Sequence, residues 1–175
     1  MRKSKTLHLI LCAFFAALSA VLSQIMIPIG PVPITLTHIS IFMAAGLLGA
    51  KYGTVSQIVF VLMGAVGVPV FCGFQGGMGI IAGPTGGFIA GYIACAFVTG
   101  FLIDRFGKSM KVLIVSMYAG WIITYIPGLL WFMILTGLNL TSSLFVCVLP
   151  FLPGDVLKTI LSATLVNRLK SLQVF

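Results

Sequence analysis

Two charged residues lie inside an otherwise apolar segment near the end of the chain, 148-VLPFLPGDVLKTIL-161. Asp155 and Lys158 are three positions apart, so on a helix they share a face and can form an ion pair. At membrane depth a charged side chain costs about 2.5 kcal/mol or more, so such residues usually face a cavity or one another. The pair therefore either contributes to a polar binding site or only neutralises itself and fixes its helix to a neighbour.

The backbone just before this pair favours a binding site. Pro150, Pro153 and Gly154 interrupt the helical pattern directly before Asp155. Non-helical backbone at membrane depth is tolerated mainly where it lines a cavity, and interrupted helices mark the substrate sites of many transporters. We therefore expect a binding site that contains both Asp155 and Lys158.

Composition places the chain in a membrane. Of its 175 residues, 60% are hydrophobic and 7% are charged, and the mean hydropathy is +1.22. A soluble domain carries about 25% charged residues. The sequence thus predicts a multi-pass integral membrane protein in which residues 1–175 form a single domain.

Six segments are apolar enough to cross a bilayer, whose hydrocarbon core is spanned by roughly 20 helical residues. They cover residues 7–27, 34–50, 54–70, 87–103, 112–136 and 141–167. Residues 51–53 are expected to form a tight turn between the second and third segments. The predicted fold is an all-α membrane protein, a compact bundle of six transmembrane helices.

The basic residues predict the orientation of this bundle. The net charge is +8, and with a cytoplasmic N-terminus nine of the ten basic residues lie at the cytoplasmic edges, as the positive-inside rule requires. These nine are Arg2, Lys3, Lys5, Lys51, Arg105, Lys108, Lys111, Arg168 and Lys170. Both termini are then cytoplasmic. Because topology accounts for the charge and no basic stripe is present, we expect no nucleic-acid partner.

A glycine-rich connection, 71-FCGFQGGMGIIAGPTGG-87, follows the third segment. Its last glycine is followed by Phe88 rather than by Lys-Ser/Thr, which argues against a phosphate-binding loop. Glycine permits close backbone approach to a ligand. The connection is either a flexible loop or a wall of the binding site, with Gln75 and Thr85 as hydrogen-bonding candidates.

Small residues recur every four positions on the first segment, in 13-AFFAALSA-20. Ala13 pairs with Ala17, and Ala16 pairs with Ala20. Such faces let helix backbones approach closely within a bilayer, either inside the protein or against a partner. Phe14 and Phe15 are expected to face lipid.

Catalysis has few residues to draw on, since the chain holds two acidic residues and two histidines. It shows no nucleophile–base arrangement and no ATPase motif. The four cysteines have neither the spacing nor the nearby histidines of a metal site. We expect a binding protein that is not an enzyme, has no metal site and depends on other proteins to move its ligand.

Other polar and aromatic residues are open to two interpretations. His38 either packs in the interior or lines the site. Two or all three of Trp121, Tyr125 and Trp131 suit the membrane interface, and one of them could instead stack on a ligand ring.

Three stretches, in the same order, resemble the BioY family, the biotin-specific substrate-binding (S) components of energy-coupling factor (ECF) transporters. They are 31-PVPITLTHISIFMAAGLLGAKYG-53, 67-GVPVFCGFQGGMGIIAGPTGGFIAG-91 and 153-PGDVLK-158. The resemblance covers about residues 28–158. It implies a six-helix fold in the cell membrane that binds biotin at the extracellular face, with no cofactor.

The resemblance also implies partners and site residues. The family's S components dock on a T component that is energised by a pair of ABC-type ATPases. The positions of Asp155 and Lys158 belong to the biotin site, and the alanine face of the first helix meets the T component. Thr37 departs from the glutamine that is common in the family.

Three alternatives stay open from the sequence. The first is an S component for a different vitamin, and the second is a solitary carrier that needs no ATPase. The third is a small membrane-embedded transferase with Asp155 as its base.

Overall fold

The computed structural model describes residues 5–171 and is almost entirely helical. Its helices are α1 (Lys5–Gln24), α2 (Thr37–Ala65), α3 (Met78–Ile81), α4 (Gly86–Phe106), α5 (Met110–Thr136), α6 (Leu140–Cys147) and α7 (Leu152–Leu169). A short antiparallel pair, β1 (Met26–Ile27) and β2 (Ile34–Thr35), joins α1 to α2. The predicted cytoplasmic residues Arg2 and Lys3 lie outside the described residues.

Four helices, α1, α2, α4 and α5, are long and apolar enough to cross a membrane. Helices α6 and α7 together form a fifth candidate, bent by 51° at the break between them. Pro150 lies in this break, as the sequence predicted, whereas Pro153 and Gly154 lie inside the first turn of α7. Pro127, by contrast, lies inside α5 without ending it.

Helix α2 contains a chain reversal at Gly49. The backbone there has φ +78° and ψ −177°, a conformation that favours glycine. A methyl group on Gly53 would lie 2.9 Å from the Cα of Ala45, whereas residues eight apart on a straight helix are separated by about 12 Å. The two halves of α2 therefore fold back on each other. The turn predicted at residues 51–53 lies at Gly49 instead, and the second half ends at Ala65 rather than at residue 70.

The last turn of α4, the loop after it and the end of α7 meet this reversal. The Asp104 carboxylate accepts a hydrogen bond from the Ala50 backbone N–H, with 2.8 Å between Oδ2 and N. Lys108 Nζ donates to the Leu47 carbonyl at 3.3 Å, and Lys170 Nζ donates to the Lys108 carbonyl at 2.8 Å. Basic residues are thus gathered at one end of the bundle, here named the basic end.

A buried polar cluster joins α1 to both halves of α2. Ser19 Oγ lies 3.0 Å from Ser40 Oγ, and Gln57 Nε2 donates to Ser19 Oγ at 3.2 Å. Phe15 packs in the interior beside them with 1% of its surface exposed, so the expectation that it faces lipid is wrong. Phe14 is 55% exposed. In an apolar medium, hydrogen bonds and close packing hold helices together where the hydrophobic effect does not.

Helix α4 packs between α2 and α5, and small residues allow the close approach. A methyl group on Gly128 of α5 would lie 2.4 Å from the ring of Phe88 in α4. The glycine lets this ring enter the space between the helices, where it becomes part of the site wall.

Candidate functional site

Asp155 lies in the first turn of α7, directly after the bend between α6 and α7. Its backbone N–H donates to the Phe151 carbonyl at 2.9 Å, so the helix is already formed at this residue. The carboxyl group is close to a helix N-terminus, which favours a negative charge. The interruption by proline therefore positions the acid as well as breaking the helix.

Asp155 and Lys158 form an ion pair inside the bundle. The distance between Lys158 Nζ and Asp155 Oδ1 is 2.8 Å, and the two residues are 6% and 3% exposed, respectively. Lys158 Nζ also donates to the Thr35 carbonyl at 3.3 Å. The Tyr125 hydroxyl donates to Asp155 Oδ2. Both carboxylate oxygens are thus engaged, although each keeps a free lone pair for a further donor.

Aromatic rings line one side of the pair. The Trp121 ring lies 4.8 Å from Lys158 Nζ and stacks on the Tyr125 ring at a centroid distance of 5.8 Å. Its Nε1–H donates to Thr159 Oγ1 at 3.0 Å, which fixes its plane. The His38 ring stacks on its face at a centroid distance of 3.9 Å. Flat apolar faces next to a charged pair suit a ligand that is a small ring with polar atoms at its edge.

Three cavities follow one another from the connecting loops to the ion pair. The outer cavity has a volume of about 360 Å³ and is lined by the glycine-rich connection and by residues 26–33. The middle and inner cavities have volumes of about 40 Å³ each. The ion pair, Trp121, Tyr125 and His38 line the inner one.

Neighbouring cavities share walls. Cys72 and Thr85 line both the outer and the middle cavity, and Thr35 and Tyr92 line both the middle and the inner one. Pro33 borders all three. The three spaces therefore form one interrupted route, narrowed by the segment before α2.

The glycine-rich connection is a packed wall of this route. Ser23 Oγ donates to the Val70 carbonyl at 2.6 Å, and Gln24 Nε2 donates to the Phe71 carbonyl at 3.1 Å. The Phe74 backbone N–H donates back to Gln24 Oε1 at 2.8 Å. The end of α1 thus holds the connection in place, at the end of the bundle opposite the basic end.

The four predicted ligand residues fall into two groups. Asp155 and Lys158 lie together in the inner cavity. Thr85 borders the outer and middle cavities, whereas Gln75 is exposed and lines the outer cavity only. Gln75 is therefore placed to meet a ligand at the mouth and not beside the ion pair.

The structure places two aromatic residues of α5, Trp121 and Tyr125, inside the bundle rather than at the membrane interface. Trp121 is 5% exposed and Tyr125 is half-buried, and both line the inner cavity. Trp131 is 37% exposed, and its Nε1–H donates to the Gly83 carbonyl at 2.9 Å. The sequence also gave no role to Tyr92. Trp121 and Tyr125 are four positions apart, a spacing that puts both on one helix face.

Thr37, at which the resemblance leads us to expect glutamine, is 1% exposed and lines the middle cavity. Its Oγ1 lies 2.9 Å from Thr35 Oγ1. The hydroxyl group of Thr37 thus has a hydrogen-bond partner in the segment before α2.

The four alanines of α1 do not all lie on one exposed face of the helix. Ala13 and Ala17 are exposed on the outside of the helix. Ala16 is 1% exposed and packs with Phe60 in the interior, and Ala20 is partly buried. This burial removes Ala16 from the surface proposed for a partner and leaves Ala13 and Ala17 on it.

Residues 5–171 contain no group of three or more histidine, cysteine or acidic residues that could hold a metal ion. All four cysteines are free thiols. What the site offers is hydrogen bonding, one ion pair and aromatic stacking.

Known proteins resemble the chain along nearly its whole length. The model of the BioY family matches residues 1–173. The biotin transporter BioY of Thermotoga maritima is 39% identical over 167 residues, which cover 95% of this chain and 98% of that protein. The biotin transporter BioY of Rhizobium etli is 39% identical over 171 residues, 91% of each chain.

A solved structure agrees with the fold. The crystal structure of the S-component for biotin from an ECF-type ABC transporter superposes with a TM-score of 0.90 at 33% sequence identity. The match covers 97% of this chain and 94% of that one.

Proposed function

The chain belongs to the BioY family, and from this premise we propose that it captures biotin with high affinity and delivers it as the S component of an ECF-type transporter. It is a biotin transport protein of the cell membrane and not an enzyme. The observation that carries the proposed mechanism is the Asp155–Lys158 pair at the inner end of a route lined by aromatic rings.

We propose that the chain crosses the membrane six times. The reversal at Gly49 supports two crossings within α2, and the bent pair α6–α7 supplies the last. The basic end would face the cytoplasm together with both termini, in accordance with the positive-inside rule. The three cavities then open toward the extracellular face.

The chemistry of the inner cavity suits the ureido ring of biotin. A carboxylate is an acceptor, and Asp155 can bind a ring N–H group through a lone pair that Lys158 or Tyr125 leaves free. Such charge-assisted hydrogen bonds are strong in a buried site. The faces of Trp121 and Tyr92 would pack against the apolar ring system.

With the ureido ring at the inner end, the valerate chain points outward through the middle cavity. Its carboxylate then reaches the outer cavity, where Thr85 and Gln75 are available as hydrogen-bond donors. Lys158 in this arrangement keeps Asp155 ionised and adds a donor to the ureido group. It does not need to reach the valerate carboxylate.

The inner route must widen for biotin to bind. Pockets that hold ligands of this kind measure about 300–1,000 Å³, whereas the middle and inner cavities are about 40 Å³ each. Residues 32–35 border these two cavities and lie outside the helices. A shift of this segment would join the cavities.

The transport partners are proposed from the exposed face of α1. Ala13 and Ala17 present small side chains on a helix that faces outward, which permits close contact with a helix of the T component. The pair of ABC-type ATPases would supply the energy, because the chain has no nucleotide-binding motif of its own.

Binding of labelled biotin to the purified protein, measured beside uptake in cells with and without the T component and ATPases, tests this function. We expect saturable binding near one per chain and uptake that needs the other components. Displacement by thiamine or riboflavin but not by biotin would indicate another vitamin. Uptake by the protein alone would indicate a solitary carrier, and product formation would indicate a transferase.

A further inference from the structure

His38 lies in the first turn of α2 and lines the inner cavity with Asp155 and Lys158. It is 6% exposed, and its Nε2 atom is buried without a hydrogen-bond partner among residues 5–171. Most buried polar atoms in proteins are hydrogen-bonded, and an unsatisfied one costs about 1–3 kcal/mol. An unpartnered polar atom in a cavity wall is therefore evidence for a ligand group at that point.

The ring that carries this atom is held in one orientation. It stacks on Trp121 at an interplanar angle of 26° and meets the Tyr92 ring edge-on, with 5.1 Å between the centroids. Trp121 is fixed in turn by its hydrogen bond to Thr159. Because packing sets the plane of the imidazole, the direction of Nε2 is set before a ligand binds.

Three other donors of the inner cavity already have acceptors in the protein. Tyr125 donates to Asp155, Trp121 to Thr159, and the Thr124 hydroxyl to a backbone carbonyl of its own helix. Lys158 uses two of its three N–H groups on Asp155 and Thr35. In its Nε2–H tautomer the imidazole of His38 offers one N–H donor at this atom.

We propose that His38 is a biotin-binding residue whose Nε2–H donates a hydrogen bond to the ureido oxygen. This inference rests on the proposed function. Asp155 is an acceptor and cannot bind the ureido oxygen, which has two lone pairs; Lys158 of α7 can donate to one of them and leaves the other for a second donor. His38 supplies it from α2, and the ureido group is then bound by α2 and α7 together.

The test measures the binding of biotin and of 2-thiobiotin, in which sulfur replaces the ureido oxygen and is a weaker acceptor. The proteins are the full-length wild type, His38→Phe and His8→Phe. Phenylalanine keeps the stacking on Trp121 and removes the hydrogen bond. His8 stacks on Tyr52 at the basic end and is the matched control.

We expect His38→Phe to weaken biotin binding about tenfold or more, because a buried hydrogen bond and its unsatisfied partner are worth at least that factor. His8→Phe should bind as the wild type does. The preference of the wild type for biotin over 2-thiobiotin should shrink in His38→Phe, since the group that reads the oxygen is gone.

The outcomes distinguish the proposed role of His38 from the proposed function of the protein. A wild type that binds biotin, with His38→Phe binding equally well, overturns the role of His38 and leaves the function standing. A folded wild type that binds no biotin overturns both. If His38→Phe does not fold, equal binding of biotin and 2-thiobiotin by the wild type overturns the role of His38 without any variant.

Discussion

Asp104 and Ala50 are joined by a hydrogen bond of 2.8 Å between the carboxylate Oδ2 and the backbone N–H, at the point where α2 reverses. This acid, in the last turn of α4, thereby caps the second half of α2. One of only two acidic residues in the chain thus has a structural role in the turn, far along the bundle from the other.

Replacing Asp104 by alanine should lower the free energy of unfolding by about 1 kcal/mol, because the Ala50 N–H loses its acceptor. Biotin affinity of the folded protein should not change. Thermal unfolding in detergent measures the effect, with Asp104→Asn as control because its side-chain oxygen can still accept. Equal unfolding temperatures for Asp104→Ala and wild type would show that water replaces the carboxylate.

Gly49→Ala should destabilise the protein more than Gly107→Ala does. Both glycines have positive φ, +78° and +91°, so each substitution carries a backbone cost of about 1–2 kcal/mol. Only at Gly49 would the new methyl group also clash, 2.7 Å from Asp104 Oδ1, whereas nothing lies within 4 Å at Gly107. Unfolding temperatures of the two variants give the comparison, and equal losses would contradict the packed turn.

Asp155→Asn should weaken biotin binding by at least about a hundredfold, because the charge-assisted hydrogen bonds to the ureido group are lost. It should also destabilise the fold by roughly 3–5 kcal/mol, because Lys158 is left as an unpaired buried cation. Equilibrium binding and thermal unfolding are measured on the same preparation.

The double variant Asp155→Asn with Lys158→Met tests whether the ion pair binds biotin or only holds α7 against its neighbours. Removing both charges should restore most of the stability, since a buried ion pair contributes little net stability. Biotin binding should stay lost. A double variant that binds biotin as tightly as the wild type would show that the pair only locks α7.

Ala13→Trp and Ala17→Trp should leave biotin binding unchanged and abolish uptake, because a large side chain on the exposed face blocks a close helix contact. Ala16→Trp should instead prevent folding, since Ala16 is 1% exposed. Binding and uptake assays on the three variants provide the check. Normal uptake by Ala17→Trp would place the partner contact elsewhere.

The sequence predicted the apolar helices and the position of the ion pair, because both depend on local pattern. A charged pair that follows Pro153 in an apolar segment can be recognised from the sequence alone. The sequence predicts the turn of α2 at residues 51–53 rather than at Gly49, because the charged Lys51 is a strong local signal and the backbone conformation of one glycine is not.

What the sequence could not supply is which face of each helix turns inward. Phe15, Trp121 and Tyr125 were assigned to lipid or interface because a membrane helix is apolar on every side, so hydropathy does not separate its faces. For the same reason, hydropathy does not show that Ala16 is buried and Ala17 is exposed. Packing between helices decides these positions, and packing is a tertiary property.

The hydrogen bonds from Ser23 and Gln24 to Val70 and Phe71 have a mechanical consequence. They join α1, which carries Ala17, to the outer wall of the route, where Phe71 lines the middle cavity. A partner that docks on Ala17, as proposed, would therefore move this wall together with the helix. In that proposal, docking and release of the ligand are coupled through these hydrogen bonds.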